Sequence, residues 1–145
     1  MTDYRNEITN QEHDLLLQFP AYISLLAANG DGVLDKEEKV SASQLAHIKS
    51  FSSDPLLLRF YKEVDGGFER TLESLDKSLP VDMEERATAI KAELLKIENI
   101  MLKLGDEYTS IMHQSMKAFK DHVSNAHHNV LIDFLFPVPI KGLSY

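Results

Sequence analysis

Cysteine and tryptophan are both absent from this chain of 145 residues, and no long apolar run is present. The absence of cysteine excludes disulfide scaffolds, thiolate zinc sites and cysteine nucleophiles. The longest apolar candidate, Val130–Ile140, is interrupted by Asp133, Pro137 and Pro139, and it falls short of the ~20 residues that cross a bilayer. The polar segment Met1–Glu7 lacks the apolar stretch of a signal peptide. We therefore expect a cytoplasmic protein without membrane insertion.

Positive charge is in deficit, since 15 Lys and Arg stand against 23 Asp and Glu and the formal charge is −8. This charge repels phosphate backbones and disfavours nucleic-acid binding. A chain of this length fits one domain and buries enough surface to fold without a metal or a disulfide. We predict a single domain over residues 1–145, with a flexible N-terminus at residues 1–8 and a non-helical tail at residues 137–145.

Alternating strand patterns are absent from the sequence, whereas signals for the start of a helix recur. Capping boxes are predicted to begin at Thr9, Asp35 and Asp82. In a capping box, the side chain of the first residue accepts from the backbone N–H of a Glu three residues later, and the Glu side chain accepts from the backbone N–H of the first residue. Pro20 predicts a kink or a restart within the first helical pattern. The apolar stripe changes phase after Gly105, which predicts a new helix capped by Asp106. The fold class predicted is all-α, a bundle of six or seven helices with an extended C-terminal tail.

Apolar residues spaced three and four apart predict the buried faces of these helices. On the helix that follows Asp35, Leu45 and Ile48 are the predicted core positions. The clearest stripes lie on the last two helices, at Ala87, Ile90, Leu94, Ile97, Met101 and Leu104, and then at Met112, Met116, Phe119, Val123, Ala126 and Val130.

The segment from Ala27 to Glu38 resembles a calcium-binding EF-hand loop, in which oxygen ligands stand at positions 1, 3, 5, 7, 9 and 12 around a Gly at position 6. With Gly32 at position 6, the resemblance implies a metal site that binds Ca²⁺ or Mg²⁺ through Asn29, Asp31, the Val33 carbonyl, Asp35 and Glu38. Position 1 is Ala27 instead of the family's Asp. The loss of one anionic ligand predicts weak affinity.

The same segment resembles the TerB-like domains of tellurite-resistance proteins. The resemblance covers residues 24–39 and rests on Ala27-Ala28, Asp31-Gly32, Leu34 and Glu38. It implies an all-helical domain that is associated with stress and metal ions and holds a cation on acidic residues. An alternative is structural, because an Asp-Gly turn followed by an Asp-x-x-Glu capping box also builds an ordinary capped turn between two helices.

Six histidines raise the alternative of a metal site inside the bundle: His13, His47, His113, His122, His127 and His128. Helical metal sites favour His-x3-His or Glu-x-x-His spacing, which places both ligands on one face, and neither spacing occurs here. Half-buried histidines with ordinary hydrogen bonds are the simpler interpretation.

These observations leave three hypotheses for function. The first is a non-enzymatic binding domain of TerB-like type with a weak divalent-cation site at residues 29–38. The second is a protein-interaction or self-association module, in which a Met112–Met116 groove or the apolar tail docks a protein partner or a second copy. The tail carries Phe134, Phe136, Val138 and Ile140. The third is a His/carboxylate metalloenzyme of helical-bundle type.

Overall fold

The computed structural model describes residues 4–28 and 35–125, and these residues form helices joined by short turns. The α-helical segments are α1 (Asn10–Leu17), α2 (Phe19–Ala27), α3 (Lys36–Ser52), α4 (Pro55–Asp65), α5 (Phe68–Ser78), α6 (Met83–Met101) and α7 (Asp106–Asn125). Two short 3-10 helices, Tyr4–Glu7 and Leu102–Leu104, complete the order. The all-α prediction is confirmed for this part of the chain.

Helix α2 is the centre of the bundle, because every one of its residues from Phe19 to Ala27 is buried. A helix that is apolar on all sides is stable only when other helices surround it. Helices α5, α6 and α7 pack against α2, while α3 packs mainly against α4 and α7. One cluster of buried apolar side chains runs from Tyr4 to Val123.

The predicted helix starts are formed by side-chain caps. At Thr9 and at Asp35 both arms of the capping box are present. At Asp82 only one arm of the predicted capping box is present, in which the side chain accepts from the N–H of Glu85 at the start of α6. Asp54 is a further cap, which accepts from the N–H of Leu56 at the start of α4. The restart predicted from Pro20 is also confirmed, since α1 ends before Gln18 and Pro20 lies in the first turn of α2.

The turn between α6 and α7 depends on Gly105, whose φ of 94° is disfavoured for residues that carry a Cβ. The Gly105 carbonyl accepts the N–H of Thr109, so Gly105 occupies the cap position and Asp106 is the first helical residue. The Thr109 hydroxyl also donates to the Met101 carbonyl, at 3.0 Å, and ties the two helices together. A new helix after Gly105 is confirmed, but the cap residue is Gly105 and not Asp106 as predicted.

Ile48 and residues 4–7 are placed in ways that local sequence patterns do not predict. The prediction of Ile48 as a core position is wrong, because this side chain is 44% exposed and α3 turns Ala42 and Ala46 inward instead. Within the N-terminal residues expected to be flexible, residues 4–7 form a 3-10 helix and Tyr4 is buried. The predicted non-helical tail at residues 137–145 lies outside the described residues.

No helix in the described ranges is both long enough and apolar enough to cross a bilayer.

Candidate functional site

The predicted cation site is divided between described and undescribed residues. Asn29, Asp31 and Val33 lie outside the described residues, whereas Asp35 and Glu38 stand at the start of α3. The Asp35 Oδ1 atom accepts from the N–H of Glu38 at 2.8 Å, and the Glu38 Oε1 atom accepts from the N–H of Asp35 at 3.0 Å. The two carboxylates therefore cap α3, as expected if this segment is an ordinary capped turn between two helices. The five-ligand metal set stays a prediction.

Burial distinguishes Glu38 from an ordinary capping residue, because its exposed fraction is only 3%. A buried carboxylate requires hydrogen-bond donors to offset its lost hydration. The Asp35 N–H is one such donor, and the amino-terminal end of α3 adds its favourable dipole. The capping box thus fixes both carboxylates at the first turn of α3, which follows residues 29–34 in the chain.

A second polar cluster joins the N-terminal segment to α4. The Tyr4 hydroxyl donates to Glu63 Oε2 at 2.6 Å, and His13 Nε2 lies 2.7 Å from the same oxygen. Arg5 and Arg59 approach the other Glu63 oxygen at 3.6 and 3.7 Å. Because an ionised carboxylate can only accept hydrogen bonds, we assign the Nε2–H of His13 as the donor to Glu63.

The electrostatics of this cluster follow from its hydrogen bonds. Burial and the hydrogen bond to Glu63 raise the pKa of the Tyr4 hydroxyl, so Tyr4 stays neutral and acts as a donor. Burial opposes ionisation of Glu63, but the hydrogen bonds from Tyr4 and His13 outweigh it and lower the pKa of this carboxyl. The cluster is therefore a half-buried hydrogen-bonded network that anchors the N-terminal segment on α1 and α4.

The other described histidines have carboxylate partners of their own or lie at the surface. His113 is 1% exposed, and its Nε2 atom is 2.8 Å from Glu98 on α6. His47 is exposed and pairs with Asp65 at 3.2 Å, while His122 is exposed on α7. Across residues 4–28 and 35–125, no three His, Cys, Asp or Glu side chains are grouped so that they could hold a metal ion. His127 and His128 lie outside these ranges.

Sequence reasoning missed a buried arginine between α5 and α6. Arg86 is 4% exposed, pairs with Asp76, and donates to the carbonyls of Asp76 and Pro80 at 3.1 and 3.3 Å. Arg86 stands four residues before Ile90 and continues the apolar face of α6, so helical periodicity places it on the buried side, whereas its charge suggests exposure. The four-residue step from Arg86 to Ile90 is the local signal that could have revealed this burial.

The Met112–Met116 groove does not form, because both side chains are fully buried in the core. Apolar residues are instead exposed on the outer face of α3. We call Val40, Gln44, Ile48 and Phe51 the α3 surface. Steps of four, four and three residues place them within about 80° of one another around the helix.

Exposure on the α3 surface is high for apolar side chains: 45% for Val40, 44% for Ile48 and 66% for Phe51. The Phe51 ring contacts the His47 ring edge-on at 5.6 Å between centroids. An open depression of about 410 Å³ lies at the other end, lined by Lys36, Glu37, Val40, Ser41 and Gln44. The sequence does contain a signal for this surface. Ala42 and Ala46 form a second apolar face whose small side chains suit close helix packing, and burial of that face leaves the α3 surface exposed.

In comparisons with known proteins, no family model, no curated protein and no solved structure matches this chain.

Proposed function

We propose that this chain is a non-catalytic binding domain that docks a protein partner on the α3 surface. The observation that carries the proposal is the alignment of Val40, Ile48 and Phe51 on one exposed helix face. Single exposed apolar residues are common, but several that share one helix face are typical of interaction sites. A cytoplasmic location, expected from the sequence, belongs to the same proposal.

The composition of the α3 surface supports recognition of an apolar segment. An exposed aromatic ring provides a large contact area with little conformational freedom to lose. Lys36 and Glu37, which line the depression beside Val40, supply the polar rim that accompanies such contacts. The partner that fits is a protein segment with two or three apolar side chains in a row.

Photocrosslinking of the full chain tests this proposal. A photoreactive phenylalanine analogue at position 51 is compared with the same analogue at Leu95, an exposed position on α6. In an extract of the source cells, we expect one adduct of defined mass from position 51. Excess unmodified chain should compete for it, whereas excess Ile48→Gln/Phe51→Gln chain should not.

Two results would overturn the proposal: the same adducts from positions 51 and 95, or equal competition by the unmodified chain and the double variant. An adduct of twice the chain mass would identify the partner as a second copy. It would thus support the self-association form of the hypothesis.

Divalent-cation binding at residues 29–38 is the second candidate function. It is supported by the capping box, which fixes the Asp35 and Glu38 side chains at the end of this segment, and by the TerB-like and EF-hand resemblances. Calorimetry with CaCl₂ and with MgCl₂ tests it, with an expected dissociation constant on the order of 10⁻⁴–10⁻³ M. Asp31→Asn should abolish the heat of binding, and Asp106→Asn, an exposed acid on α7, should not. Absence of heat, or equal heat in Asp31→Asn, would remove this candidate.

A further inference from the structure

The α3 surface begins where the described part of α7 ends. The Ser41 hydroxyl donates to the His122 carbonyl at 3.4 Å, three residues before the end of α7 at Asn125. Residues 126–145 follow directly in the chain. This segment, which we call the tail, therefore starts close to Val40 at one end of the α3 surface.

The length of the tail suits this surface. The eight residues from 126 to 133 span at most about 27 Å, which is enough to place Phe134 anywhere along α3. From Val40 to Phe51 the α3 surface measures about 17 Å. Pro137 and Pro139 disfavour a helix, and seven residues from Phe134 to Ile140 in polyproline geometry span about 22 Å. One apolar stretch of the tail thus matches the whole row of exposed side chains.

Charge is complementary at both ends if the tail runs from the start of α3 toward Phe51. Asp133 precedes the apolar stretch and would reach the exposed Lys36. Lys141 follows it and would reach Asp65, whose carboxylate lies 3.2 Å from His47 beside the Phe51 ring. The reverse direction would place Asp133 near Asp65 and would lose both attractions.

We propose that residues 134–140 of the same chain occupy the α3 surface and compete there with the partner. This inference rests on the proposed function, because it names the segment that regulates access to the proposed binding surface. The tail supplies the apolar side chains Phe134, Phe136, Val138 and Ile140. These can pack against the exposed apolar side chains of the α3 surface.

Paramagnetic relaxation in the full chain tests the proposal directly. Because the chain contains no cysteine, Gln44→Cys gives a single attachment point for a nitroxide label in the middle of the α3 surface. We expect the amide signals of Phe134, Phe136, Val138 and Ile140 to lose most of their intensity. A label on Leu95→Cys, on α6, should leave these signals nearly unchanged. Adding Ile48→Gln and Phe51→Gln to the Gln44→Cys chain should restore them.

Three results of this experiment would overturn the proposal. Equal broadening from both labels, or none from position 44, would show that the tail does not occupy the α3 surface. A second sample mixes ¹⁵N-enriched chain that has no nitroxide with nitroxide-labelled chain that has no ¹⁵N. Broadening of the tail signals in this mixture would assign the contact to a second copy instead. The crosslinking result at position 51 is independent, so a partner adduct without tail broadening would leave the proposed function intact. If the tail signals broaden but no partner adduct forms, the tail covers the α3 surface and the proposed partner binding is not supported.

Discussion

The Tyr4 hydroxyl donates a 2.6 Å hydrogen bond to Glu63, a residue 59 positions further along the chain. The Tyr4 ring also lies against Tyr108, with ring centroids 5.7 Å apart. The first described turn of the chain is thereby joined to α4 and to α7. This relationship predicts that the N-terminal segment contributes to the stability of the whole bundle.

Replacing Tyr4 with Phe should destabilise the fold by about 1.5–3 kcal/mol, the range for hydrogen bonds to charged groups. The ring contact with Tyr108 is retained, so the loss reports the hydroxyl alone. Urea unfolding measures the change, and Glu7→Gln, at an exposed position of the same segment, is the control. A change in Tyr4→Phe no larger than that in the control would show that the hydrogen bond contributes nothing.

Acid should weaken the fold through Glu63. Its pKa in the folded protein lies below the ordinary value of 4.5, because the Tyr4 and His13 hydrogen bonds outweigh the effect of burial. A carboxyl with a lowered folded pKa adds stability above its unfolded pKa and loses this contribution as the pH falls through the folded pKa.

The free energy of unfolding, measured from pH 7 down to pH 3, should therefore fall less in Glu63→Gln than in the unmodified chain. Glu93→Gln, in an exposed pair with Lys96 on α6, is the matched control. Parallel pH profiles for the unmodified and Glu63→Gln chains would contradict the assignment.

Asp76→Ala should be strongly destabilising because it leaves Arg86 charged in a site that is 4% exposed. Breaking a fully buried pair costs about 3–5 kcal/mol, and since Asp76 is partly exposed we expect about 2 kcal/mol. Glu93→Ala, which removes a surface pair, should cost less than about 1 kcal/mol.

The double variant Asp76→Leu/Arg86→Met should recover part of the loss, because no unpaired charge remains in the site. Denaturant unfolding of the three variants checks this order. Equal losses in Asp76→Ala and Glu93→Ala would contradict it.

Phe51→Gln should leave stability unchanged within about 0.5 kcal/mol, because Phe51 is 66% exposed and is not a member of the core cluster. Phe60, on the neighbouring helix, is fully buried, and Phe60→Ala should cost about 3–5 kcal/mol. Thermal unfolding of the two variants measures this contrast. A large loss in Phe51→Gln would mean that the α3 surface is part of the core, and it would withdraw Phe51 as a binding residue.

Local chemistry accounts for the parts of the fold that the sequence predicts well. Thr9, Asp35 and Asp82 start helices because each side chain bonds a backbone N–H only three residues away. Gly105 ends one helix and begins another because its positive φ suits a residue without a Cβ. Such interactions involve near neighbours in the chain, so their residues can be recognised from spacing alone.

The site is less predictable, because its residues depend on which helix faces meet. Spacing predicted Leu45 and Ile48 as the core positions of α3. Leu45 does pack against the core, but close packing also buries Ala42 and Ala46 and leaves Ile48 and Phe51 exposed. Spacing likewise implied nothing about the pairing of His13 with Glu63, which are 50 residues apart.

The sequence by itself therefore determined the helices, their caps and most of the core stripes, because backbone hydrogen bonding and apolar periodicity act over a few residues. The tertiary structure alone decided which polar groups are buried together and which apolar side chains remain exposed. Those outcomes depend on packing between helices that are distant in the chain, and the exposed α3 surface is one of them.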